Sequence, residues 1–492
     1  MTISGRGVPE LLHAGPLAEA SHVAHDCAWP GPLRPVFAAP PAPPHAGAVD
    51  ADPTGTWPNT LPDGHFVLKW GDEGNVDAAD AGIVLDALGR AWVAEVEVLG
   101  YPEPYGSDTF LLDVFLGDTG DGLPDTFGAR GYEGRYEDGR PYIVLHPGLI
   151  EERKLLEVTA VHELFHALQD NAGSDYRFAT DSPSGFWYEA TAMWMEQVVV
   201  PETDDWYRSV WAYASTIREP LRASFPVDNS ARGNRAYGLA VLPWFLAERL
   251  DDDLIRASWT TAGEPDVLVV LAAELAARGE DPDQVFSDFA AKNAFWDYPD
   301  RSQMFSLVDA HRDHDGDMYR REPALPEAPV VVPPAEGPAE GGTVYVRVPL
   351  SGFEEKLAIE AEGDEFGDAG STARWDLRVV LGDGEDPALV YAELPVSRGV
   401  LAGELEPGGL RVLVLAATVW GLGEGERAGL RYTMRRIVPE PVTLAAAGAY
   451  GGGCRSGDDA STGAGLLILL GVRRQLGRQL RRQEMETTCA GS

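Results

Sequence analysis

Phe66, Val67, Leu68 and Trp70 make the first compact apolar run in a chain whose opening sixty residues carry almost no hydrophobic pattern. Such a run predicts a strand, and the stretch after it, 77–98, places Ile83, Leu85, Leu88 and Trp92 at helical spacing. Two more strand-like runs, 110–116 and 142–145, complete a small lobe of mixed α and β character. From Pro147 to about Trp296 the period is helical. The stretch 151–169 opens with acidic residues, suited to the positive end of a helix dipole, and carries Leu155, Val158, Val161, Leu164 and Phe165. Further helices are expected at 187–199, 206–217, 237–259 and 265–278, with a bend at Pro243. A Pro-rich stretch, 323–338, breaks the periodicity, and beyond it the period becomes two. Val344, Val346 and Val348 alternate with Tyr345 and Arg347, Trp375, Leu377 and Val379 follow the same rule, and 412–415 is a continuous run of the buried type. The plan is an α+β chain: a disordered segment 1–60, a mixed domain 61–322, a linker 323–340, a β-sandwich 341–437 and a tail 438–492.

Composition narrows the function classes. With 492 residues the chain has ample core for two or three domains and needs neither disulfide nor metal merely to fold. Asp and Glu number 78 against 39 Lys plus Arg, a formal net charge of −39, which repels nucleic acid and anionic membrane surfaces. Because the carboxylates are spread along the chain, the acidity reads as solubility rather than as a recognition surface. The three cysteines, Cys27, Cys454 and Cys489, lie in the tails and imply no disulfide framework. Residues 38–44 read as an extended, solvated segment. No signal peptide pattern is visible in the first thirty residues, so an exported form would start upstream of Met1.

The densest chemistry is Val161-His162-Glu163-Leu164-Phe165-His166, inside an amphipathic helical pattern. Four-residue spacing projects both imidazoles from one face about one turn apart, so that they can share a tetrahedral ion. Glu163 then turns toward the open coordination position, where it can take a proton from water activated by the ion. With 10 histidines in the chain, this pattern arises by accident in on the order of one such chain in a hundred. A catalytic zinc site takes three protein ligands. Glu189, 23 residues beyond His166 in an apolar helical stretch, is the candidate third, because a carboxylate there is costly to bury unless it is paired or ligated; an exposed carboxylate is the plainer reading. Glu196, seven residues on and on the same face, can orient a histidine from behind. Tyr237 is a candidate donor to a developing oxyanion, although a tyrosine at a helix start more often packs.

His162-Glu163-x-x-His166 followed by Trp187, Glu189, Ala192 and Glu196 resembles the gluzincin metallopeptidases. The layout of sheet lobe, motif helix, helical lobe, Pro-rich stretch and sandwich resembles metalloproteases found in myxobacteria. The resemblance spans roughly 61–437, with its specific motifs confined to 158–197. It implies a zincin-like metallopeptidase domain made of a small sheet lobe and a helical lobe, Zn²⁺ held by His162, His166 and Glu189, and Glu163 as general base. Where thermolysin-like enzymes carry Asn before the ligand Glu and Asp four residues after it, this chain has Tyr188 and Met193.

Weaker signals remain. The loop 118–125 offers Asp118, Asp121 and Asp125 as hard ligands for Ca²⁺, but it lacks the twelfth-position Glu of an EF-hand, and plain turn chemistry accounts for it as well. Asp313, Asp315 and Asp317 pose the same choice. In the tail, Cys454 follows three glycines and precedes a short apolar stretch, 465–472, and then Arg473, Arg474, Arg478, Arg481 and Arg482. This resembles the myxobacterial carboxy-terminal sorting signals (MYXO-CTERM), which implies attachment at the cell surface through Cys454. The apolar stretch is far shorter than the ~20 residues that span a bilayer, and an amphipathic terminal helix is the alternative. The expected function is zinc-dependent hydrolysis of a peptide bond in a peptide or protein substrate, at the cell surface or outside the cell. The alternative is a surface-displayed binding protein whose metal is structural or vestigial.

Overall fold

The computed structural model describes residues 48–50, 57–174, 176, 182–203, 206–226, 230–350, 356–363, 373–383, 386–392, 396–397, 400–408 and 410–437. Most of the segment expected to be disordered, the sorting-type tail and all three cysteines lie outside these residues.

β1 (Asn59–Asp63) and β2 (Phe66–Trp70) pair as a hairpin whose tight turn places Gly64 at φ 55°. α1 (Ala78–Trp92) follows, capped by Asp77, whose carboxylate accepts from the Ala79 and Asp80 N–H groups, and it widens into a π-helical turn over Val93–Val98. This crossover brings β3 (Leu112–Leu116) parallel to β2. β4 (Gly131–Arg135) and β5 (Pro141–Leu145) form a second hairpin, with β5 parallel to β3 and β4 antiparallel at the edge; the order is β1-β2-β3-β5-β4. β2, β3 and β5 are buried throughout because both faces are covered. Leu68, Val114, Ile143 and Leu145 face the helices, while Phe115, Tyr142 and Val144 pack with Trp57 and Leu123 on the opposite side. Lys69 is buried there too, held by Asp113 at 2.7 Å and Asp50 at 2.8 Å.

α2 (Arg153–Gln169) comes after a 3₁₀ turn, Pro147–Glu151. Glu151 and Glu152 therefore precede the helix rather than fill its first turn, which holds Arg153 and Lys154; Glu152 leaves helical geometry at φ −111°, ψ 71°. The helical lobe continues with α3 (Gly185–Val199), α4 (Val210–Ser215), α5 (Arg235–Gly238), α6 (Val241–Arg249), α7 (Asp253–Thr260), α8 (Val267–Ala277), α9 (Pro282–Asn293) and α10 (Arg301–Asp315). The single bent helix expected over 237–259 is instead shared among α5, α6 and α7. Pro243 is the third residue of α6, where its missing N–H costs no intrahelical bond, and the chain breaks before Asp251, whose side chain accepts from the Leu254 N–H. Among the described residues no helix is long and apolar enough to cross a membrane.

The strands of the remaining chain are β6 (Tyr319–Arg321), β7 (Val330–Val332), β8 (Thr343–Pro349), β9 (Leu357–Gly363), β10 (Arg374–Asp383), β11 (Asp386–Ala392), β12 (Val396–Ser397), β13 (Val400–Leu405), β14 (Val412–Trp420) and β15 (Leu430–Arg436). They form two sheets, β11-β10-β14-β8-β6 and β12-β13-β9-β15-β7. Val344, Val346, Leu377, Val379, Leu413 and Leu415 of the first sheet meet Leu357, Ile359, Leu430 and Met434 of the second in one core. The stretch 323–340 is not a free linker. Within it β7 pairs with β15, and just before it β6 pairs with β8. The outer face of the first sheet is apolar as well: Tyr345, Val380, Val414 and Ala416 join the core of the helical lobe, and the Tyr345 hydroxyl donates to the Ala290 carbonyl of α9 at 2.7 Å. The continuous apolar run at 412–415 reflects burial on both faces, so the sandwich and the helical lobe share a core rather than meeting through a tether.

Asp376 of β10 is a poorly solvated exception in this packed region. Burial pushes its carboxyl from 3.8 up to about 6, with Arg374 only partly opposing the shift. The folded state therefore holds the proton more tightly than the unfolded chain, and stability falls as pH rises from about 4 to about 6. Asp376→Asn should raise the thermal midpoint at pH 8, by roughly 1 kcal/mol of stability, and make no difference at pH 4. Equal gains at both pH values would show that the charge is not the cause.

Candidate metal centre

α2 and α3 pack side by side and bury almost every side chain along their interface. Within the apolar interior of α2, His162, Glu163, His166 and Gln169 recur at helical spacing and form its polar stripe. Glu189 projects from α3 toward the two imidazoles. Its Oε2 lies 3.1 Å from His162 Nε2 and 3.5 Å from His166 Nε2, and the three donor atoms all fall within 4.8 Å of one another. His162 and Glu189 are 8% and 5% exposed, so the group is set largely out of water.

These separations fit a metal. Two donors each about 2.1 Å from a tetrahedral ion stand about 3.4 Å apart, close to both separations, although the shorter one is also a hydrogen-bond length. Two nitrogens and one carboxylate oxygen are also a donor set that zinc accepts.

The outer nitrogens of both rings are tied. His162 Nδ1 meets Glu196 Oε1 at 2.6 Å, and a carboxylate can only accept, so Nδ1 carries the proton and Nε2 faces the ligand cluster. His166 Nδ1 meets Gln169 Oε1 at 2.7 Å. The Gln169 amide cannot be reversed, because its Nε2 donates to the Tyr188 carbonyl at 3.0 Å and to Thr191 Oγ1 at 2.9 Å. Thr191 in turn gives its own proton to the Trp187 carbonyl and accepts from Trp259 Nε1 of α7. A chain of buried hydrogen bonds thus holds a proton on Nδ1 of both histidines, which leaves Nε2 as the nitrogen that an ion would take.

Charge follows from this packing. Burial alone would raise the Glu189 carboxyl, but the His166 and His162 rings beside it hold it far below the usual carboxylate range. Burial alone would lower His162, yet its contacts with Glu189 and Glu196 raise it well above the ordinary imidazole value. Glu163, 6% exposed, is pushed up to about 7 by burial, with the two imidazoles opposing the shift. Tyr237 of α5 stacks on the His162 ring at 6.2 Å between centroids and 18° between planes. Burial, with the Glu189 and Glu163 carboxylates nearby, keeps its phenol protonated. The next residue, Gly238, makes this placement possible: a Cβ there would lie 2.4 Å from the Ser209 carbonyl oxygen, so any other residue would push α5 away from the chain entering α4.

The structure thus brings together His162, Glu163, His166, Glu189, Glu196 and Tyr237. Gln169, Thr191 and Trp259 were not singled out from sequence, although Gln169 lies three residues beyond His166 on the same helical face. The acidic loop does not converge. Asp118 accepts from the Thr126 backbone and hydroxyl, Asp125 caps the Phe127 N–H, and among the described residues Asp118, Asp121 and Asp125 form no metal-sized group. Asp317 accepts from the Tyr319 N–H and from Arg321, while the side chains of Asp313 and Asp315 lie outside the described residues. A concavity of about 580 Å³ between Tyr105, Phe110, Arg140 and Asn171 shares no residue with the centre.

A family model described as "Family of unknown function (DUF6055)" matches residues 69–349, more than half of the chain. The chain belongs to this family. No curated protein matches it. The family segment runs from β2 to the end of β8 and holds every residue of the centre.

The purified chain should retain one zinc ion after dialysis. Gln169→Ala should loosen that ion by roughly 10–100-fold, and His166→Ala should abolish retention, both read by competition with a chromophoric chelator. Wild-type affinity in Gln169→Ala would show that the amide does not orient the ring.

Proposed function

We propose that the protein is a zinc-dependent peptide-bond hydrolase of the gluzincin type, built on a zincin-like domain. The observation that carries this reading is the convergence of His162, His166 and Glu189, whose donor atoms all lie within 4.8 Å of one another, with a buried carboxylate, Glu163, next to one of them in the helix. His162, His166 and Glu189 would hold the zinc. Among the described residues the cluster offers three protein donors rather than the four of a structural site, which leaves room for water and substrate. This weighs against the reading as a surface binding protein with a structural metal.

A bound zinc ion would lower the pKa of water and polarise the scissile carbonyl. Glu163 takes the proton from the attacking water and returns it to the departing amine. Tyr237, held protonated beside Glu189 and Glu163, donates its hydroxyl hydrogen toward the oxygen on which charge develops. Glu196 and Gln169 keep the two imidazoles in the productive tautomer throughout the cycle. The Cys454 motif supports action at the cell surface.

Glu163→Gln should retain zinc at full stoichiometry and lose hydrolysis of a mixed peptide library by roughly a thousandfold or more. Tyr237→Phe should keep both metal and fold and lower kcat by roughly 10–1,000-fold with little change in KM. Full turnover in Glu163→Gln would end the mechanism, and full turnover in Tyr237→Phe would return that residue to packing.

A further inference from the structure

The concavity of about 580 Å³ beside Arg140 has no part in the chemistry above. Its size falls within the roughly 300–1,000 Å³ that small-ligand sites occupy. Two segments make most of its wall. One is the loop 103–110 that leads into β3, and the other is the tight turn from β4 to β5, where the Gly139 N–H donates to the Tyr136 carbonyl at 3.0 Å. Asn171, just past the end of α2, ties the loop down: its Nδ2 donates to the Glu103 carbonyl at 2.7 Å.

Arg140 is built into this wall. It is 8% exposed, and Gly106 sits so close to its stem that a Cβ there would stand 3.0 Å from Arg140 Cγ and Cδ; Gly106 also holds a φ of 89°. The Phe110 and Tyr136 rings lie 4.4 and 5.1 Å from the guanidinium carbon. Tyr136 is itself fixed, because its hydroxyl donates at 2.7 Å to Asp113, the partner of the buried Lys69. Asp138 accepts from Arg140 Nε at 2.9 Å and from the Arg140 backbone N–H at 3.1 Å. That pairing uses a single side-chain nitrogen. The two Nη atoms make no hydrogen bond among the described residues, yet neither is shut off from solvent, and Arg140 lines the concavity. A guanidinium held in place with both terminal donors unused is a receptor for a carboxylate.

The charges around it decide which carboxylate. Glu103, Asp108 and Asp138 line the same concavity, and the carbonyl end of α2 adjoins it at Asn171. A plain anion would meet this negative surround along with the guanidinium. A ligand with an ammonium group near its carboxylate would meet each sign with the opposite one. Tyr105, 54% exposed, offers aromatic surface to an apolar side chain. We propose that the concavity is a binding site for a zwitterion, with the ligand carboxylate on the Arg140 Nη atoms and its ammonium toward Asp108 and Glu103. The inference stands apart from the hydrolase reading. Two sources carry this chemistry, a free amino acid and a short peptide with both ends unblocked.

Calorimetric titration of the full chain carrying Glu163→Gln, used so that no peptide probe is turned over, separates them. The probes are alanyl-phenylalanine, its acetylated form, its carboxy-terminal amide and free phenylalanine. With zinc bound or removed by chelator, the dipeptide should bind at one site, the amide roughly tenfold more weakly and the acetylated form roughly threefold more weakly. Arg140→Lys keeps stem and charge but loses the paired donors, so it should cut the dipeptide's affinity roughly tenfold and leave the amide's unchanged. Phenylalanine binding as tightly as the dipeptide identifies the amino acid as the ligand, and weaker binding identifies the peptide. An amide as tight as the free acid, or full affinity in Arg140→Lys, would overturn the carboxylate assignment, and an acetylated form as tight as the free amine would overturn the zwitterion. Binding that disappears with the zinc would place the ligand at the metal centre and overturn the site, as would no binding at millimolar concentration. The comparison of acid with amide uses one chain throughout, so it decides even where Arg140→Lys fails to fold.

Discussion

A carboxylate buried between two imidazoles is the interaction around which the helical lobe is arranged. Glu189 is poorly tolerated at the α2–α3 interface as an isolated charge, because the cost of stripping its water is comparable to the whole stability of an ordinary domain. Its place is tenable only where His162 and His166 converge on it, with or without an ion between them. That requirement passes outward. Once the inner nitrogens are turned toward Glu189, the outer ones need acceptors, and Glu196 and Gln169 supply them; Gln169 then needs its own acceptors, found at Tyr188 and Thr191. Four helices are tied to one small centre by this succession, since Tyr237 comes from α5 and Trp259 from α7.

The rest of the fold supplies a rigid and dry surround. α2 lies against β4 and β5 on one side and α1 and α3 on others, so a shift of the motif helix would disturb several packed layers at once. The first sheet of the sandwich contributes to the same core through Tyr345, Val380 and Val414. The sandwich is thus part of the support for the helical lobe, whatever else its exposed faces do. The family segment ends at the close of β8, the strand that carries Tyr345 into that shared core.

Particular residues show how far a linear reading reaches. His162, Glu163 and His166 were legible because helical spacing is a local rule: three and four positions along the chain are neighbours in space whatever else the protein does. Glu189 could be singled out because an acid in an apolar helix calls for a partner. The same logic, applied to Gln169, would have found the residue that orients His166. β4 offered no such signal, since Gly131-Tyr132-Glu133-Gly134-Arg135 lacks the apolar alternation of an ordinary strand and becomes one only by pairing with β5. The helix over 237–259 was misread because its apolar content is continuous, while the breaks are set by Asp251 capping and by the packing of α5 on its neighbours.

By itself, then, the sequence determined the kinds of element, the α+β class, the polar stripe on α2 and the candidacy of Glu189. Each of these depends on periodicity or on the energetic cost of a side chain in its own segment. Only the tertiary structure decided that Glu189 meets both imidazoles, that Tyr237 stacks on His162 and that the sandwich shares a core with the helices. Those facts depend on the approach of segments distant along the chain. That approach follows from which surfaces exclude water together, and a local pattern does not contain it.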